Sequence, residues 1–473
     1  MTPAATDPSA SPSAGGPRVV TLRATTLEGP AFRLDAKYYQ EEFILAKARV
    51  ASCGFPSKAT AEIAEAFVPQ RARLVLIAHP DAGAPYLKAH DAFMTRPGSN
   101  EYVPFPRISD SYVLREGMLL TPSSGRNLGP LAYVGRSLAG FVMSDIMRIL
   151  PRDRDEGLYL LVYLMTPTGQ ALIRRGRTGT NVDHLAPSDV LSVPIVWPSQ
   201  DTRAKYAKAM AEAQERLDGA RETLTNLERR LHAECGLDPE PPKGEYLPST
   251  GPRAFGLRSS LIGSRLDAEF YNAQAMACRD ELSKTAHCRL SEAAELHLLG
   301  RYKRYYVDAE YGRPILSGTQ LLQLFPVNLR HISTRSFNNA EEFVIRRGWT
   351  VFTCDGRAEE GLASPAFVSS LWDGWMASNH IMRAVPLQHI QPGFLYLSLR
   401  SPYVQAQLKS RATGSVIDAL DVETVADVLL PLGTQHLRTE IGSLAEAAWE
   451  QIADAVRQIQ RSVASLERQI QHA

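Results

Sequence analysis

The same sequence pattern occurs twice in this chain of 473 residues, with the second copy about 230 residues after the first. Residues 33–39 (RLDAKYY) return as 265–271 (RLDAEFY), and residues 146–148 (IMR) return as 381–383. Solenoid repeats have periods of roughly 20–50 residues, so this longer period indicates a duplicated domain. Because each copy runs into a long polar segment, the repeated unit is predicted to be a domain followed by a helix.

Each of the two long polar segments carries apolar residues at alternating steps of four and three. This spacing is typical of a coiled-coil seam, so each helix is expected to need a partner. The other helix of the same chain is the simplest partner, a second copy of the chain is another, and separate packing of each helix on its own domain is a third. The seam residues are Tyr206, Met210, Leu217, Leu224, Leu227 and Leu231 in the first helix and Trp449, Ile452, Val456, Ile459, Val463 and Leu466 in the second.

Short apolar runs separated by glycine and proline precede each long helix and predict short strands in a mixed sheet. The predicted fold class is therefore α+β, with two tandem mixed α/β domains that are each followed by a long helix. Within the first domain, residues 158–175 are expected to form one helix. The predicted boundaries are a disordered tail at 1–20, module one at 21–200, the first long helix at 201–236, a proline-rich linker at 237–260, module two at 261–433 and the second long helix at 434–473.

Composition and motifs argue against an enzyme. The formal net charge is +1, and the five cysteines have no zinc spacing, which is typical of reduced thiols in a cytoplasmic protein. No apolar run approaches the roughly 20 residues of a membrane span. The sequence has no phosphate-binding GxxxxGK[ST] loop, no HExxH motif and no amino-methyltransferase tetrad. We therefore expect no catalytic residues, no bound metal and no cofactor in this chain.

The order of these motifs resembles the specificity subunit of type I restriction–modification enzymes. The residues that carry the resemblance are the starts at 33–39 and 265–271, the SSGRNLG turn at 123–129, and the Thr-Gly-Thr/Ser turns at 178–180 and 413–415. The resemblance implies two target-recognition domains that each read one half of a split double-stranded DNA site. It also implies that the long helices form an antiparallel coiled coil, which sets the gap and docks methyltransferase subunits that carry S-adenosylmethionine. A restriction or translocase subunit, or membership of a related phage-defence complex, is left open.

Candidate DNA contacts are cationic and aromatic side chains in loop-like or strand-like segments, because these present donors and stacking planes to phosphates and base edges. The densest run is 301–306 (RYKRYY), for which an edge strand with a solvated charged face is the alternative interpretation. The glycines at 125 and 356 are expected to permit left-handed turns that free the neighbouring side chains. The full candidate set is Arg71, Arg73, Lys88, His90, Arg96, Arg126, Asn127, Arg301, Lys303, Arg304, Tyr305, Arg330, Arg335 and Arg357.

The sequence thus favours a non-catalytic DNA-specificity subunit whose paired helices act as a spacer. A helix of this length, at roughly 1.5 Å per residue, spans about 50 Å. Two other classes of function stay open: a protein-only adaptor of a phage-defence complex that docks partners through the coiled coil, and an enzyme fused to its own recognition domain.

Overall fold

A computed structural model of the chain describes residues 35–70, 73–179, 181–245, 254–263, 265–318, 320–333, 335, 339–357, 361–414 and 417–472. The predicted tail at 1–20 and the candidate Arg71 lie outside the described residues. No helix in the described ranges combines the length and the hydropathy that crossing a bilayer requires.

Module one is built around a four-stranded antiparallel sheet with the strand order β2-β7-β5-β6. A separate antiparallel pair, β1 with β8, joins the beginning of the module to its end. The elements are α1 (Glu41–Ser52), β1 (Ser57–Ala59), β2 (Ala64–Phe67), β3 (Gly83–Pro85), β4 (Tyr102–Pro104), β5 (Leu119–Thr121), β6 (Ala132–Tyr133), β7 (Met147–Pro151), α2 (Arg154–Met165), α3 (Pro167–Arg175), α4 (Pro187–Leu191) and β8 (Pro194–Val196), followed by the long helix α5 (Gln200–Glu234).

Module two repeats this arrangement. Its elements are α6 (Ala273–Ser283), β9 (His287–Arg289), α7 (Leu290–Ala293), β10 (Ala294–His297), β11 (Tyr306–Val307), β12 (Arg313–Leu316), β13 (Arg330–Ile332), β14 (Thr350–Thr353), β15 (Asp355–Gly356), β16 (Pro365–Phe367), β17 (Met376–Ala377), β18 (Ile381–Pro386), α8 (Pro392–Arg400), α9 (Pro402–Ser410), β19 (Asp418–Ala419), α10 (Val422–Ala426) and β20 (Leu429–Pro431), followed by the long helix α11 (Gln435–His472). The strand order β10-β18-β14-β16 matches that of module one, and β20 pairs with β9 as β8 pairs with β1. The predicted fold class, two mixed α/β modules each followed by a long helix, is confirmed.

One predicted helix in module one is divided in two. The stretch 158–175 belongs to α2, which ends at Met165, and to α3, which begins at Pro167. Proline has no backbone N–H and its ring clashes with the preceding helical turn, so α2 cannot continue through Pro167. Thr166 caps the new helix by accepting a hydrogen bond from Gly169 N.

The two long helices pack against each other in antiparallel order. Near the start of α5, the Tyr206 hydroxyl lies 3.1 Å from the hydroxyl of Ser465, near the end of α11. Near the end of α5, Arg230 donates to Glu440, near the start of α11, at 2.7 Å. The prediction that the helices of one chain pair with each other is therefore confirmed. Their buried faces are wider than a two-residue seam, since α2 and α8 of the modules pack on the same pair.

Each long helix ends against the module to which it does not belong. Glu467 of α11 accepts hydrogen bonds from the backbone N and the hydroxyl of Thr168 in module one, at 3.1 and 2.9 Å. His232 of α5 lies with its Nε2 3.0 Å from the Ser401 hydroxyl in module two. Burial lowers the pKa of His232, so the ring is neutral near pH 7. The helix ends therefore join the two modules crosswise.

The modules also touch each other directly. Residues 93–95 of module one pair antiparallel with residues 322–324 of module two through two N–H···O bonds of 2.8 and 3.0 Å. The centre of this contact is the bridge between Met94 and Gln323. The same backbone groups of each copy donate and accept, which is the pattern of an isologous twofold interface. The duplicated modules are thus arranged around a pseudo-twofold axis.

A buried arginine explains why the IMR sequence occurs in both copies. Arg148 and Arg383 are 0% and 1% exposed, and both lie in the central strand next to the sheet core. The Arg148 guanidinium donates to the carbonyl oxygens of Ile146, Tyr112 and Met143, at 2.6–3.1 Å. Burial lowers the pKa of Arg148 to about 10, so the side chain remains charged at neutral pH and holds the loop backbone around it.

We predict that Arg148→Gln lowers the free energy of unfolding by about 2–3 kcal/mol, because three buried carbonyls lose a charged donor. The matched control is Arg152→Gln, since exposed Arg152 donates to one carbonyl, that of Glu62. The control should change the free energy by less than about 0.5 kcal/mol. Urea unfolding of the whole chain, followed by circular dichroism, measures both, and equal effects would contradict the role given to Arg148.

Candidate nucleic-acid interface

The run 301–306 lies at the edge of a second sheet in module two, whose strand order is β11-β13-β12-β17. Strand β11 covers only Tyr306–Val307, because only these residues pair with β13, at Ile332 and His331. Before the strand, the carbonyl oxygen of Tyr305 accepts a hydrogen bond of 3.0 Å from Ser333 N, which extends this pairing by one bond. Exposure alternates along the run, since Arg301, Lys303 and Tyr305 are exposed. Alternation is the property of extended backbone that the sequence predicted for this face.

Cations and aromatic rings contact each other along this edge. The Arg330 guanidinium lies 4.7 Å from the centre of the Tyr306 ring, and the Lys303 ammonium lies 5.0 Å from the Tyr305 ring. Arg304 donates to the Asn379 side chain at 2.6 Å. We call Lys303, Arg304, Tyr305, Tyr306 and Arg330 the cation–aromatic patch. Such a patch offers donors to phosphates and flat surfaces to bases.

Tyr306 is the member of the patch that the candidate set omitted. Partial burial raises the pKa of its phenol, but hydrogen bonds and charge from Arg304 and Arg330 outweigh this, so the pKa lies below its usual value. Tyr305 and Tyr306 are 42% and 46% exposed, and Tyr311, after the strand, is 68% exposed. The alternating cations and aromatics in the sequence were the signal for Tyr306. Its ring contact with Arg330, more than twenty residues away, required the fold.

The glycine turns place further cations at the surface. Gly125 and Gly356 have φ of +123° and +147°, in the region that glycine adopts without strain, as the sequence predicted. The next residues, Arg126, Asn127 and Arg357, are exposed. Asn127 accepts a 2.7 Å hydrogen bond from Asn328 of module two, so this turn contacts the other module. Exposed Arg335 follows β13 and joins no contact with the patch among the described residues.

The module-one candidates do not form an equivalent patch. Arg73 is exposed, Lys88 lies 3.7 Å from Glu101, and His90 lies 3.1 Å from Asp91. The Glu101 carboxylate reduces the positive charge that Lys88 could present to a phosphate. Across the described ranges, His, Cys, Asp and Glu side chains form no group of three or more that could hold a metal ion.

Arg96 does not fit the predicted set of DNA contacts, because the structure buries its side chain between the modules. Its side chain is 8% exposed and forms a two-point ion pair with Glu228 of α5, where Nη2 lies 3.1 Å from Oε2. Its Nη1 also donates to the Tyr396 hydroxyl of module two at 3.1 Å, and Arg400 donates to the same Glu228 at 2.7 Å. Arg96 is therefore a joint between module one, α5 and module two, and cannot reach DNA.

The seam residues of the long helices are directed inward. Met210, Leu217, Leu224 and Leu231 are 0% exposed, and Val463 is the half-buried member of the set. Burying one leucine side chain stabilises the folded state by roughly 1.5–3 kcal/mol. The seam therefore stabilises the helix pair strongly and helps to fix the separation of the modules. The remaining seam residues, all buried, are Tyr206, Leu227, Trp449, Ile452, Val456, Ile459 and Leu466.

No protein-family model and no curated protein matches this sequence. Among solved structures, the chain is similar to the S subunit of a type I restriction–modification system from M. genitalium, with 10% identity, 89% of this chain and 96% of that chain covered, and a TM-score of 0.35. It is also similar to the HsdS subunit from Thermoanaerobacter tengcongensis, with 15% identity, coverage of 89% and 97%, and a TM-score of 0.28. A third similar chain, from a study of complex assembly and conformational transition of the type I R-M system, has 15% identity, coverage of 88% and 96%, and a TM-score of 0.28.

We predict that Glu228→Gln destabilises the chain in a pH-dependent way. Burial raises the pKa of the Glu228 carboxyl, but Arg400 and Arg96 outweigh burial and place it below its ordinary value of 4.5. The carboxylate therefore stabilises the fold fully above pH 4.5, and this contribution is lost as the pH falls through the lowered pKa. The expected loss in the variant at pH 7 is about 2 kcal/mol, less than for a fully buried pair because the side chain is 21% exposed.

The control for this prediction is Glu234→Gln on the same helix, which removes an exposed pair with Arg230. It should cost less than about 1 kcal/mol. Urea unfolding at pH 7 and at stepwise lower pH measures the differences from the unmodified chain. A Glu228→Gln difference that grows as the solution is acidified would contradict this assignment.

Proposed function

We propose that this chain is a DNA sequence-specificity subunit that reads a split site in double-stranded DNA, one half with each module. The observation that carries the proposal is the geometry: two copies of one sheet topology are held at a fixed separation by an antiparallel helix pair. A duplicated reader on a rigid spacer fits a target that is itself bipartite. The duplicated motifs that resemble type I specificity subunits support the same conclusion.

The cation–aromatic patch is the proposed reading surface of module two. Arginine pairs with guanine edges in the major groove, while lysine and arginine neutralise phosphates. Exposed Arg301, Arg335 and Arg357 extend the proposed surface. In module one, Arg73, Lys88, His90, Arg126 and Asn127 are the proposed contacts, and their lower net charge predicts that module one contributes less phosphate-derived affinity.

The helix pair sets the proposed spacing of the half-sites. The long helices contain 35 and 38 residues, which at roughly 1.5 Å per residue gives rods of about 50–57 Å. With DNA rising about 3.4 Å per base pair, rods of this length suit half-sites that lie within one to two helical turns of each other. Since Arg96 and Glu228 join the modules as well, we expect one fixed gap and not a range of gaps.

We propose that partner subunits catalyse any reaction on the DNA. Methyltransferase subunits that carry S-adenosylmethionine would dock on the solvent-facing sides of the helix pair, with or without a restriction subunit. The exposed Leu444 on α11, 42% exposed, is an apolar contact that such a partner could cover. The chain itself would supply sequence selection.

Selection of binding sequences from a random duplex library, with the full chain, tests the proposal. We predict that two short conserved blocks separated by a fixed unconserved gap are enriched, and that the affinity falls linearly with salt on logarithmic scales. Arg330→Ala should reduce affinity for the enriched duplex roughly tenfold and relax the preference within one block, since a lost base contact costs about 1–3 kcal/mol.

Arg289→Ala is the matched control, because exposed Arg289 lies on β9 and pairs with Asp427 outside the patch. It should leave both the affinity and the enriched blocks unchanged. Binding without any enriched sequence, or enrichment of a single continuous block, would contradict the split-site proposal. The first result would favour the protein-only adaptor.

A further inference from the structure

A cleft of about 770 Å³ lies where module one, module two and the helix pair meet. Its walls are the 124–128 turn and α3 of module one, residues 323–328 of module two, and the faces of α5 and α11 that carry Gln214 and Val463. This volume lies within the roughly 300–1,000 Å³ of small-molecule sites, which also tend to occur at domain junctions. Of its lining residues, His90, Arg126 and Asn127 belong to the candidate DNA-contact set, whereas the sequence did not indicate the cleft itself.

The pseudo-twofold axis explains why a cleft occurs here. At the equivalent place in module two, Trp449 of α11 packs on Tyr396 and Phe367, with ring centres 5.2 and 6.0 Å apart, and fills the space. Gln214 occupies the position on α5 that is equivalent to Trp449 in the duplicated sequence, and both Gln214 and Tyr133 line the cleft. Replacing an indole with a shorter amide leaves the volume open.

Positive charge surrounds the mouth of the cleft. Arg126 and Arg174 both line it, and within the described part of the chain neither forms an ion pair with a carboxylate. The Nε of Arg174 donates to the carbonyl oxygen of Gln170, on its own helix, at 3.1 Å, which aims the side chain from α3. The lining carboxylate Asp183 is neutralised by Lys37, whose ammonium lies 2.9 Å away. The negative charge of a phosphate group would complement the positive charge at this mouth.

The floor of the cleft is apolar and partly aromatic. Tyr133 and Phe325 supply rings, and Leu161 and Met165 supply aliphatic and thioether surface. Flat aromatic and apolar walls accept the face of a heteroaromatic ring, with stacking worth about 1–3 kcal/mol per base. Gln214 adds an amide for hydrogen bonds to a ring edge, and its Nε2 donates to the Met210 sulfur at 3.5 Å.

We propose that this cleft binds a nucleotide, with its base against the apolar floor and its phosphate between Arg126 and Arg174. The nucleotide can be a free mononucleotide or one nucleotide of a DNA strand, because both present the same ring and phosphate. The cleft lies apart from the cation–aromatic patch but shares His90, Arg126 and Asn127 with the proposed contacts of module one. Binding of a mononucleotide tests the cleft without requiring split-site reading.

Isothermal titration of the full chain with each of the four deoxynucleoside 5′-monophosphates tests the site. We expect at least one to bind with one site per chain, and its nucleoside and 2-deoxyribose 5-phosphate each to bind at least tenfold more weakly. Gln214→Trp, which restores the bulk found at Trp449, should abolish this binding, and Arg174→Gln should weaken it about tenfold. The controls are Lys208→Trp, on an exposed part of α5, and Lys409→Gln, at the module-two equivalent of Arg174; both should bind normally.

A second arm identifies the source of the nucleotide. The probe is a duplex that carries 2-aminopurine within the enriched sequence. If a DNA nucleotide enters the cleft, the fluorescence of this duplex should rise when it binds the unmodified chain. The same duplex should show no such rise with Gln214→Trp. Mononucleotide binding without this rise assigns the site to a free nucleotide. Failure of every monophosphate and of the duplex signal would overturn the proposal, as would a nucleoside that binds as tightly as its monophosphate. Because Gln214→Trp leaves the cation–aromatic patch intact, the duplex affinity of this variant reports separately on DNA reading by module two.

Discussion

The rest of the structure depends on one constraint, which is that the end of each long helix is bound by the opposite module. Each long helix begins on its own module and ends on the other, where Glu467 holds Thr168 and His232 contacts Ser401. Because both connections are made, neither module can rotate about its helix without breaking a buried hydrogen bond. The rigidity needed for a fixed spacing therefore comes from the module junctions as much as from the apolar seam.

The two halves of the pseudo-twofold arrangement have become chemically different. On one side of the bridge at Met94, Arg96 enters an ionic site with Glu228 and Arg400. On the other side, the equivalent Phe325 packs against the apolar core, near Val463. The same backbone contact is thus stabilised by charge in one half and by apolar burial in the other. A second difference between the two copies, Gln214 on α5 where α11 has Trp449, produces the cleft.

The sequence predicts the duplication, the fold class and the pairing of the long helices, because these follow from patterns repeated along the chain. It does not predict the position of Arg96, because the partner of this residue, Glu228, is 132 residues away. Glu228 lies on α5 at a position where the sequence pattern predicts an exposed side chain. A lone arginine before a proline has the sequence character of a surface loop. Its burial depends on a carboxylate, a phenol and a second arginine that only the tertiary structure brings together.

The break between α2 and α3 and the cleft show two other kinds of limit. Pro167 was visible in the sequence, and the local rule on proline would have ended the helix there. The cleft follows from the absence of bulk at Gln214, which becomes meaningful only when the two long helices are compared in register. In the cation–aromatic patch, the run 301–306 was evident, whereas Arg330 joins it through the pairing of β11 with β13.

The most direct test of the central arrangement is a pair of distances between spin labels, measured by double electron–electron resonance. The two half-exposed thiols, Cys235 and Cys288, would first be replaced, and one label placed at Lys205 near the start of α5. The account predicts that this label lies close to a second label at Arg468, near the end of α11, and farther by about 40 Å from one at Thr439, near its start. A shorter distance to Thr439 than to Arg468 would contradict the antiparallel, crosswise joining of the two modules.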